Sequence, residues 1–308
     1  MSKFFEESRN PGQSSTADSP AKTVDHKLDE LLSTFKIGSV DRDVEGVQVS
    51  VAVPENEPTQ VNGDYRQVDL SLSERLLGRS DNETAMIAAD AYRMLRTRLL
   101  RLLASRGQRS VVISSAVQGE GKTVTTMNLG ICCSQLRDTQ VLLVDGDLRN
   151  TGLTRLVATP EGLGLSDALS GKVRFEECVA KTDFENLFIV CAGSPTDAPA
   201  ELIAGPNWKR FMQWATDKFK LVLVDSPPVL ALADFELLAA GCDALLTVVR
   251  SRTTQREVVE RCMNHVDRKK LIGAVLNDAT LSKSSQGYYY YRYGDKKETT
   301  KTAEAGKK

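Results

Sequence analysis

The sequence predicts a doubly wound α/β fold built on a mostly parallel sheet. Six short apolar runs, rich in Val, Ile and Leu, alternate with helix-like segments. Runs of this length without period-two alternation suit strands that are buried on both faces, and their alternation with helices is typical of doubly wound proteins. The predicted strands lie at residues 110–114, 141–144, 187–191, 221–224, 244–249 and 271–276.

The segments around these strands predict one domain with two tails. Residues 1–75 are rich in Ser, Pro, Asp, Glu and Gln and predict a mostly disordered region, in which residues 28–35 have the spacing of a docking helix or of a transient linker helix. Order should begin near Ser80, where a capping-box pattern precedes a helix. We assign residues 76–280 to the domain and residues 281–308, which lack an apolar period, to a flexible tail.

Composition limits the partners and the compartment. A net charge of -1 gives no bulk attraction to nucleic acid, so no nucleic-acid partner is expected. The six scattered cysteines are interpreted as reduced, mostly buried thiols. We find no signal-peptide pattern and no apolar run of the ~18 to 20 residues that span a bilayer. A cytoplasmic protein is expected, one that could still be recruited to the inner face of the membrane.

A glycine-rich loop after the first predicted strand indicates a phosphate site. Backbone N–H groups of such a loop cradle phosphates at a helix N-terminus, its lysine reaches the β- and γ-phosphates, and its threonine hydroxyl can ligate Mg²⁺. Ala116 replaces the leading glycine of the full pattern, so a glycine-rich turn followed by a surface lysine stays the alternative. The predicted nucleotide-binding residues are Gly119, Glu120, Gly121, Lys122, Thr123 and Val124.

Two apolar strands end in aspartates that should meet this loop. Asp145 and Asp147 follow one strand, and Asp225 follows another. The carboxyl ends of parallel strands lie at one edge of the sheet, so these carboxylates should converge with Lys122. An isolated aspartate at a strand end more often forms a turn or caps a helix. Beside a phosphate loop, the aspartates instead predict a metal–nucleotide site.

ATP is the expected nucleotide. Guanine recognition usually shows an [NT]-K-x-D segment, and the nearest segment, Ala180-Lys-Thr-Asp183, lacks the first residue. A P-loop scaffold alone does not separate an ATPase from a kinase, because phosphoryl transfer depends mainly on positioning and charge neutralisation. The phosphate acceptor therefore decides the reaction.

Five of the seven tyrosines crowd into six positions of the tail and predict phosphate acceptors. Each phosphate would add roughly -1.5 to -2 charges, so several would repel one another and could switch an assembly off. The alternative is an aromatic arm that forms an edge strand or binds a partner. The cluster comprises Tyr288, Tyr289, Tyr290, Tyr291 and Tyr293.

Taken together, these features closely resemble the bacterial tyrosine kinases of capsular and exopolysaccharide assembly. The resemblance runs from about residue 80 to the end and includes the Walker A loop, a second Walker-type motif at Val141–Arg149 and a Walker B motif at Val224–Pro228. It implies a P-loop NTPase of the partitioning-ATPase-like class. It also implies an ATP- and Mg²⁺-dependent tyrosine autokinase that phosphorylates its tail in trans and regulates polysaccharide polymerisation and export.

The resemblance assigns a role to each residue of the site. Lys122 and Thr123 would bind phosphate and Mg²⁺, and Asp145 and Asp147 would flank the transfer site, where one of them helps to deprotonate the tyrosine. A phenol with a pKa of about 10 needs such a base at neutral pH. Asp225 would hold the metal through water. The implied catalytic set is Lys122, Asp145 and Asp147, and the implied metal set is Thr123, Asp145 and Asp225.

The resemblance also implies an assembly and partners. Asp90, Arg93 and Arg96 match a ring-interface motif in which Asp90 replaces a glutamate, although Asp90 and Arg93 could instead form a local ion pair. Asn277, at a strand end, would read adenine or simply form a turn. The implied partners are further copies of the chain, a membrane polysaccharide co-polymerase that activates it in trans, a cognate tyrosine phosphatase and other protein substrates.

Two other functions fit the same loop. One is a partitioning or positioning ATPase that acts as a nucleotide-dependent dimer switch, but its signature lysine is absent from Ser115–Gln118. The other is a non-catalytic scaffold that binds nucleotide for folding and presents tyrosines to another enzyme. Phosphate on the tyrosine cluster would separate the kinase from the ATPase.

Overall fold

The computed structural model describes residues 65–71, 73, 75–79, 82–158, 162–231 and 233–279. Several predictions lie outside these residues: most of the predicted disordered region, including the helix-like patch at 28–35, and the tyrosine tail from 280 onward. Ser80 also lies outside them.

One mixed sheet organises the described part of the chain. The strands are β1 (Arg66–Val68), β2 (Ser110–Ser115), β3 (Val141–Asp145), β4 (Val179–Thr182), β5 (Leu187–Val190), β6 (Leu221–Asp225), β7 (Ala244–Arg250) and β8 (Leu271–Asn277). Six of them are mutually parallel and run in the order β5-β3-β6-β2-β7-β8, while β4 pairs antiparallel with β5 and β1 pairs parallel with β4. The prediction of a mostly parallel α/β sheet is confirmed.

The six predicted strands are the six parallel ones, and the two reversed strands β1 and β4 were not predicted. In β1, two of the three side chains are exposed. The expectation that order begins near Ser80 is wrong, because β1 joins the sheet and Leu70 and Leu76 beyond it are buried. Val68, Leu70 and Leu72 alternate with polar residues, a period-two pattern that the search for continuous apolar runs passed over.

Helices cover both faces of the sheet. Leu99 and Met127, from the helices Glu83–Arg106 and Lys122–Ser134, share one core cluster with Ile113 of β2. The two neighbours of Phe188 in β5 also belong to this cluster. Because successive strand residues point to opposite faces, Phe188 points to the other face of the sheet, where it packs against Phe219. The helices are α1 (Glu83–Arg106), α2 (Lys122–Ser134), α3 (Leu165–Leu169), α4 (Pro199–Ala204), α5 (Pro206–Lys218), α6 (Asp234–Ala240) and α7 (Arg256–Asn264), with 3₁₀ turns at Thr154–Leu156 and Phe175–Cys178.

The start of α1 corrects the predicted capping box. Asn82 is the N-cap residue, and its side chain accepts a hydrogen bond of 2.8 Å from the Ala85 N–H. Asparagine is as good an N-cap as serine, which explains why the helix begins there.

In the described part of the chain, none of the helices is long and apolar enough to span a bilayer. All six cysteines are free and buried, as predicted.

The register of the sheet brings the ends of three strands together at the predicted site. Asp145, at the end of β3, is directly paired with Asp225, at the end of β6, and Asp225 is paired in turn with Ile113 of β2. The strand that precedes the glycine-rich loop and the two strands that end in aspartate therefore finish side by side.

Candidate active site

The glycine-rich loop turns sharply between β2 and α2. Gly119 and Gly121 have φ angles of 88° and 94°, in the left-handed region that favours glycine. A Cβ atom on Gly121 would also overlap the amide of Asn277. The helix α2 begins at Lys122, directly after Gly121. The loop thus has the geometry that presents backbone N–H groups at a helix N-terminus, where phosphates bind.

Glu120 braces this loop through its buried carboxylate. One oxygen accepts from the Val117 N–H at 2.8 Å, and the other accepts from the Thr254 hydroxyl at 2.6 Å and the Arg250 N–H at 3.3 Å. Only 2% of Glu120 is exposed. Because both carboxylate oxygens bind groups of the protein, the predicted nucleotide contact of Glu120 falls to its backbone N–H.

Asn277, the last residue of β8, also holds the loop. Its Nδ2 donates a hydrogen bond of 2.9 Å to the carbonyl of Glu120. The bond places a strand-end amide beside the phosphate loop, so Asn277 does more than form a turn. The Oδ1 atom of the same amide is the group that could still accept a bond from a base.

Lys122 lies among the aspartates that were predicted to converge on it. Its Nζ is 3.5 Å from Asp147 Oδ2 and 3.7 Å from Asp225 Oδ1. The Thr123 hydroxyl donates a bond of 2.7 Å to Asp225 Oδ2. The structure therefore brings the two loop residues, both strand ends and Asp147 into one cluster, in which Lys122 and the aspartates are buried and Thr123 is half-buried.

Gly146 allows the two acidic strand ends to approach so closely. Its N–H donates to the backbone carbonyl of Asp225 at 2.8 Å. A Cβ atom at this position would stand only 2.8 Å from the same carbonyl oxygen. Because that oxygen belongs to the backbone, it has little room to move. The glycine between Asp145 and Asp147 is thus required by packing.

Asp145 is fully buried and engaged through one oxygen only. Its Oδ2 accepts from the Thr154 N–H at 2.7 Å and from the Thr154 hydroxyl at 2.6 Å. Its Oδ1 has no hydrogen-bond partner among the described residues. Burial, and then the neighbouring Asp225 carboxylate, raise the pKa of Asp145, while the Thr154 bonds oppose that rise. Burial likewise raises the pKa of Asp225, against the effect of Lys122.

These residues fit a magnesium ion that arrives with a nucleotide. Within the described ranges, no group of three or more His, Cys, Asp or Glu side chains could hold a metal by itself. Mg²⁺ usually takes one or two carboxylates and completes its shell with phosphate oxygens and water. Thr123, Asp145 and Asp225 offer hard oxygen ligands, and a divalent cation would relieve the repulsion between the two buried carboxylates.

The predicted interface residues lie on α1, apart from this cluster. Asp90 and Arg93 form an ion pair of 2.6 Å on the surface, where 51% of the Arg93 side chain is exposed. Arg96 donates to the carbonyl of Cys132 at 2.9 Å and so ties α1 to α2. The local ion pair is observed, and the ring interface stays a prediction.

Two further contacts at this edge escaped the sequence interpretation. Thr154 binds Asp145, as described above, and Arg149 forms an ion pair of 2.7 Å with Asp234 at the start of α6. Thr154 follows Asp145 by nine residues and belongs to no recognised spacing, so nothing in the sequence marks it. The second Walker-type motif does contain Arg149, but not its distant partner.

Comparison with known proteins identifies the family. A family model described as an AAA domain matches residues 108–274. The tyrosine-protein kinase YwqD of Bacillus subtilis is 31% identical over 210 residues, which make up 68% of this chain and 88% of YwqD. The chain belongs to the bacterial tyrosine-protein kinase family. The expected enzyme class, a protein-tyrosine kinase, and the P-loop NTPase fold are thereby confirmed.

Other members of this family differ in length. The tyrosine-protein kinase wzc of Salmonella typhi is 30% identical over 213 residues, which are 67% of this chain but only 29% of wzc. Among solved structures, the kinase domain of the Escherichia coli tyrosine kinase ETK superimposes with a TM-score of 0.60 at 25% identity and covers 70% of this chain and 90% of that domain. The similarity is thus to a kinase domain, which is part of some relatives and most of others.

Proposed function

We propose that this tyrosine-kinase family member is an ATP- and Mg²⁺-dependent autokinase that phosphorylates its own C-terminal tyrosine cluster in trans. One observation carries the proposal, namely the cluster of largely buried side chains at the carboxyl edge of the sheet. Its members are Lys122, Thr123, Asp145, Asp147 and Asp225. A lysine, a hydroxyl and carboxylates next to a phosphate loop are the parts that phosphoryl transfer requires.

Each residue of the cluster has its own role in binding the phosphates, the metal or the tyrosine hydroxyl. The loop amides and Lys122 hold the β- and γ-phosphates, while Thr123 and Asp225 hold the metal. When bound, Mg²⁺ neutralises the charge that develops on the transferred phosphoryl group. Asp147 accepts from the Asn150 N–H through Oδ1 and faces Lys122 through Oδ2. Asp145 Oδ1 is the carboxylate oxygen left for a metal-bound water or for the proton of the tyrosine hydroxyl.

The remaining assignments follow the same proposal. Asn277 reads the adenine through Oδ1, because its Nδ2 already binds the loop. Asp90, Arg93 and Arg96 contribute to a ring of subunits in which one tail enters the neighbouring site. The kinase domain covers residues 76–280, joined by β1, and residues 281–308 are the substrate tail.

The cellular role that fits is control of capsule or exopolysaccharide polymerisation and export. The protein would be cytoplasmic and recruited to the inner face of the cell membrane by a polysaccharide co-polymerase that activates it. A tyrosine phosphatase would reset the cycle, and other proteins could be phosphorylated as well.

The test is a map of the phosphorylated residues. The purified full chain is incubated with labelled ATP and Mg²⁺, with and without the co-polymerase that activates it, and its peptides are analysed by mass spectrometry. We expect phosphate on tyrosines 288–293 and none on a variant in which all five are changed to phenylalanine. If the wild-type protein hydrolyses ATP and no tyrosine is labelled, the positioning-type ATPase takes the place of the kinase.

A further inference from the structure

Thr154 makes three hydrogen bonds that together fix the catalytic aspartate. Its backbone N–H and its hydroxyl both donate to Asp145 Oδ2, at 2.7 and 2.6 Å. The same hydroxyl accepts from the N–H of Ala192, just beyond the end of β5, at 2.8 Å. Thr154 thus links the end of β3 to the end of the neighbouring strand.

The direction of this chain of bonds is determined by its chemistry. A backbone N–H can only donate, so Ala192 occupies an acceptor site of the hydroxyl and the hydroxyl proton goes to Asp145. Asp145 Oδ2 therefore has two donors, whereas Oδ1 has none in the described part of the chain. Turning the carboxylate away from this orientation would break both bonds in a place where Asp145 is 0% exposed and water cannot replace them. A 180° flip would only exchange two equivalent oxygens, so the oxygen in the Oδ1 position stays the free one.

We propose that Thr154 is a positioning residue that presents Asp145 to the reaction through Oδ1 alone. The inference rests on the proposed function, in which Asp145 meets either a metal-bound water or the tyrosine hydroxyl. A carboxylate held by one oxygen reacts from a fixed direction, as groups that support metal and catalytic ligands commonly ensure. Thr154 itself touches neither phosphate nor tyrosine.

The substitution Thr154→Val tests this role, because valine matches the shape of threonine and lacks the hydroxyl. The backbone bond to Asp145 can survive, while the side-chain bond is lost. We expect kcat for tyrosine phosphorylation to fall about 10- to 100-fold, the usual cost of losing such support. The KM for ATP should change less than about 3-fold, since the phosphate loop is untouched.

Rescue by serine distinguishes positioning from packing. Thr154→Ser keeps the hydroxyl and loses a methyl group, so it should retain kcat within about 3-fold of wild type. Thr216→Val serves as a control, because the Thr216 hydroxyl binds only carbonyls within α5. If Thr154→Val does not fold, as judged by circular dichroism, Thr154→Ala and Thr154→Ser provide the same comparison.

Two outcomes would overturn the inference: an unchanged kcat in Thr154→Val, or equal impairment of the valine and serine variants. Mg²⁺-dependent ATP hydrolysis is measured in parallel for every variant. If wild-type protein hydrolyses ATP and labels no tyrosine, the proposed kinase function fails. The role of Thr154 is then still judged from the hydrolysis rates of the same variants.

Discussion

At the scale of single residues, Lys122 is a buried cation placed among the aspartates of the site. Its side chain is 8% exposed, and it lies between Asp147 and Asp225 at 3.5 and 3.7 Å. The positive charge of Lys122 attracts phosphate. It also offsets the negative charge of the neighbouring carboxylates, which would otherwise repel the phosphate. Nucleotide affinity should therefore depend on this one amine more than on any surface lysine.

Changing Lys122 to Met should abolish most of the transfer activity. Losing one preorganised group that stabilises transition-state charge typically costs about 100- to 1,000-fold in kcat, and we expect a loss of that size. The measurement is the initial rate of tyrosine labelling. Lys209→Met is the matched control, since Lys209 is exposed on α5, and it should label at the wild-type rate. A Lys122→Met variant that keeps a tenth of the wild-type rate would show that the amine is not essential.

How much of the site the sequence predicts depends on distance along the chain. Lys122 and Asp225 were predicted because each belongs to a short motif with a known spacing. Thr154 and the buried contacts of Glu120 were not, since their partners lie far away and only the fold brings them together. Supporting residues such as Thr154 and Glu120 therefore cannot be predicted from one sequence, whereas the residues of short motifs can.

At the scale of elements, the site exists because β3 and β6 end at the same level. Asp145 and Asp225 are register partners, and the Gly146 N–H donates a hydrogen bond to the Asp225 carbonyl. The sequence predicted both strands from their continuous apolar runs. It missed β1 and β4 because polar residues interrupt them, as is common for strands near a sheet edge.

Adding a methyl group at Gly146 should separate these strand ends. The new Cβ would meet the Asp225 carbonyl at 2.8 Å, so Gly146→Ala should cost roughly 1–3 kcal/mol of unfolding free energy, as overpacking usually does. Urea unfolding measures the change. Gly273→Ala is the control, because its Cβ would meet only a Leu246 side chain at 3.8 Å. Equal stability of the two variants would contradict the close approach described here.

At the scale of the whole molecule, the domain buries three acidic side chains close to one another. Asp145, Asp147 and Asp225 are all at most 3% exposed, and Lys122 is the cation beside them. Mg²⁺ would place positive charge beside these carboxylates, and ATP would bring its phosphates to the loop and to Lys122. The folded state should thus gain stability from the complete ligand and little from either part alone.

A thermal unfolding series measures this coupling. A ligand at 100 times its Kd adds about 2.7 kcal/mol, which for a domain of this size corresponds to a Tm increase of roughly 5–10 °C. We expect that increase with ATP and Mg²⁺, and most of it should vanish when EDTA removes the metal. The Lys122→Met variant should show little increase. An increase that survives EDTA would mean that ATP binds without the metal, which would contradict the coupling.

The most direct test of the account is transfer between two different copies of the chain. One copy keeps the site and has phenylalanine in place of the five clustered tyrosines, and the other carries Lys122→Met and an intact tail. Mixed with ATP and Mg²⁺, the pair should yield phosphotyrosine at positions 288–291 and 293 of the Lys122→Met copy. Incubated alone, the first copy should yield none, and the Lys122→Met copy should be labelled at least about 100-fold more slowly than in the mixture. Consumption of ATP by the mixture without phosphotyrosine on that tail would contradict the account.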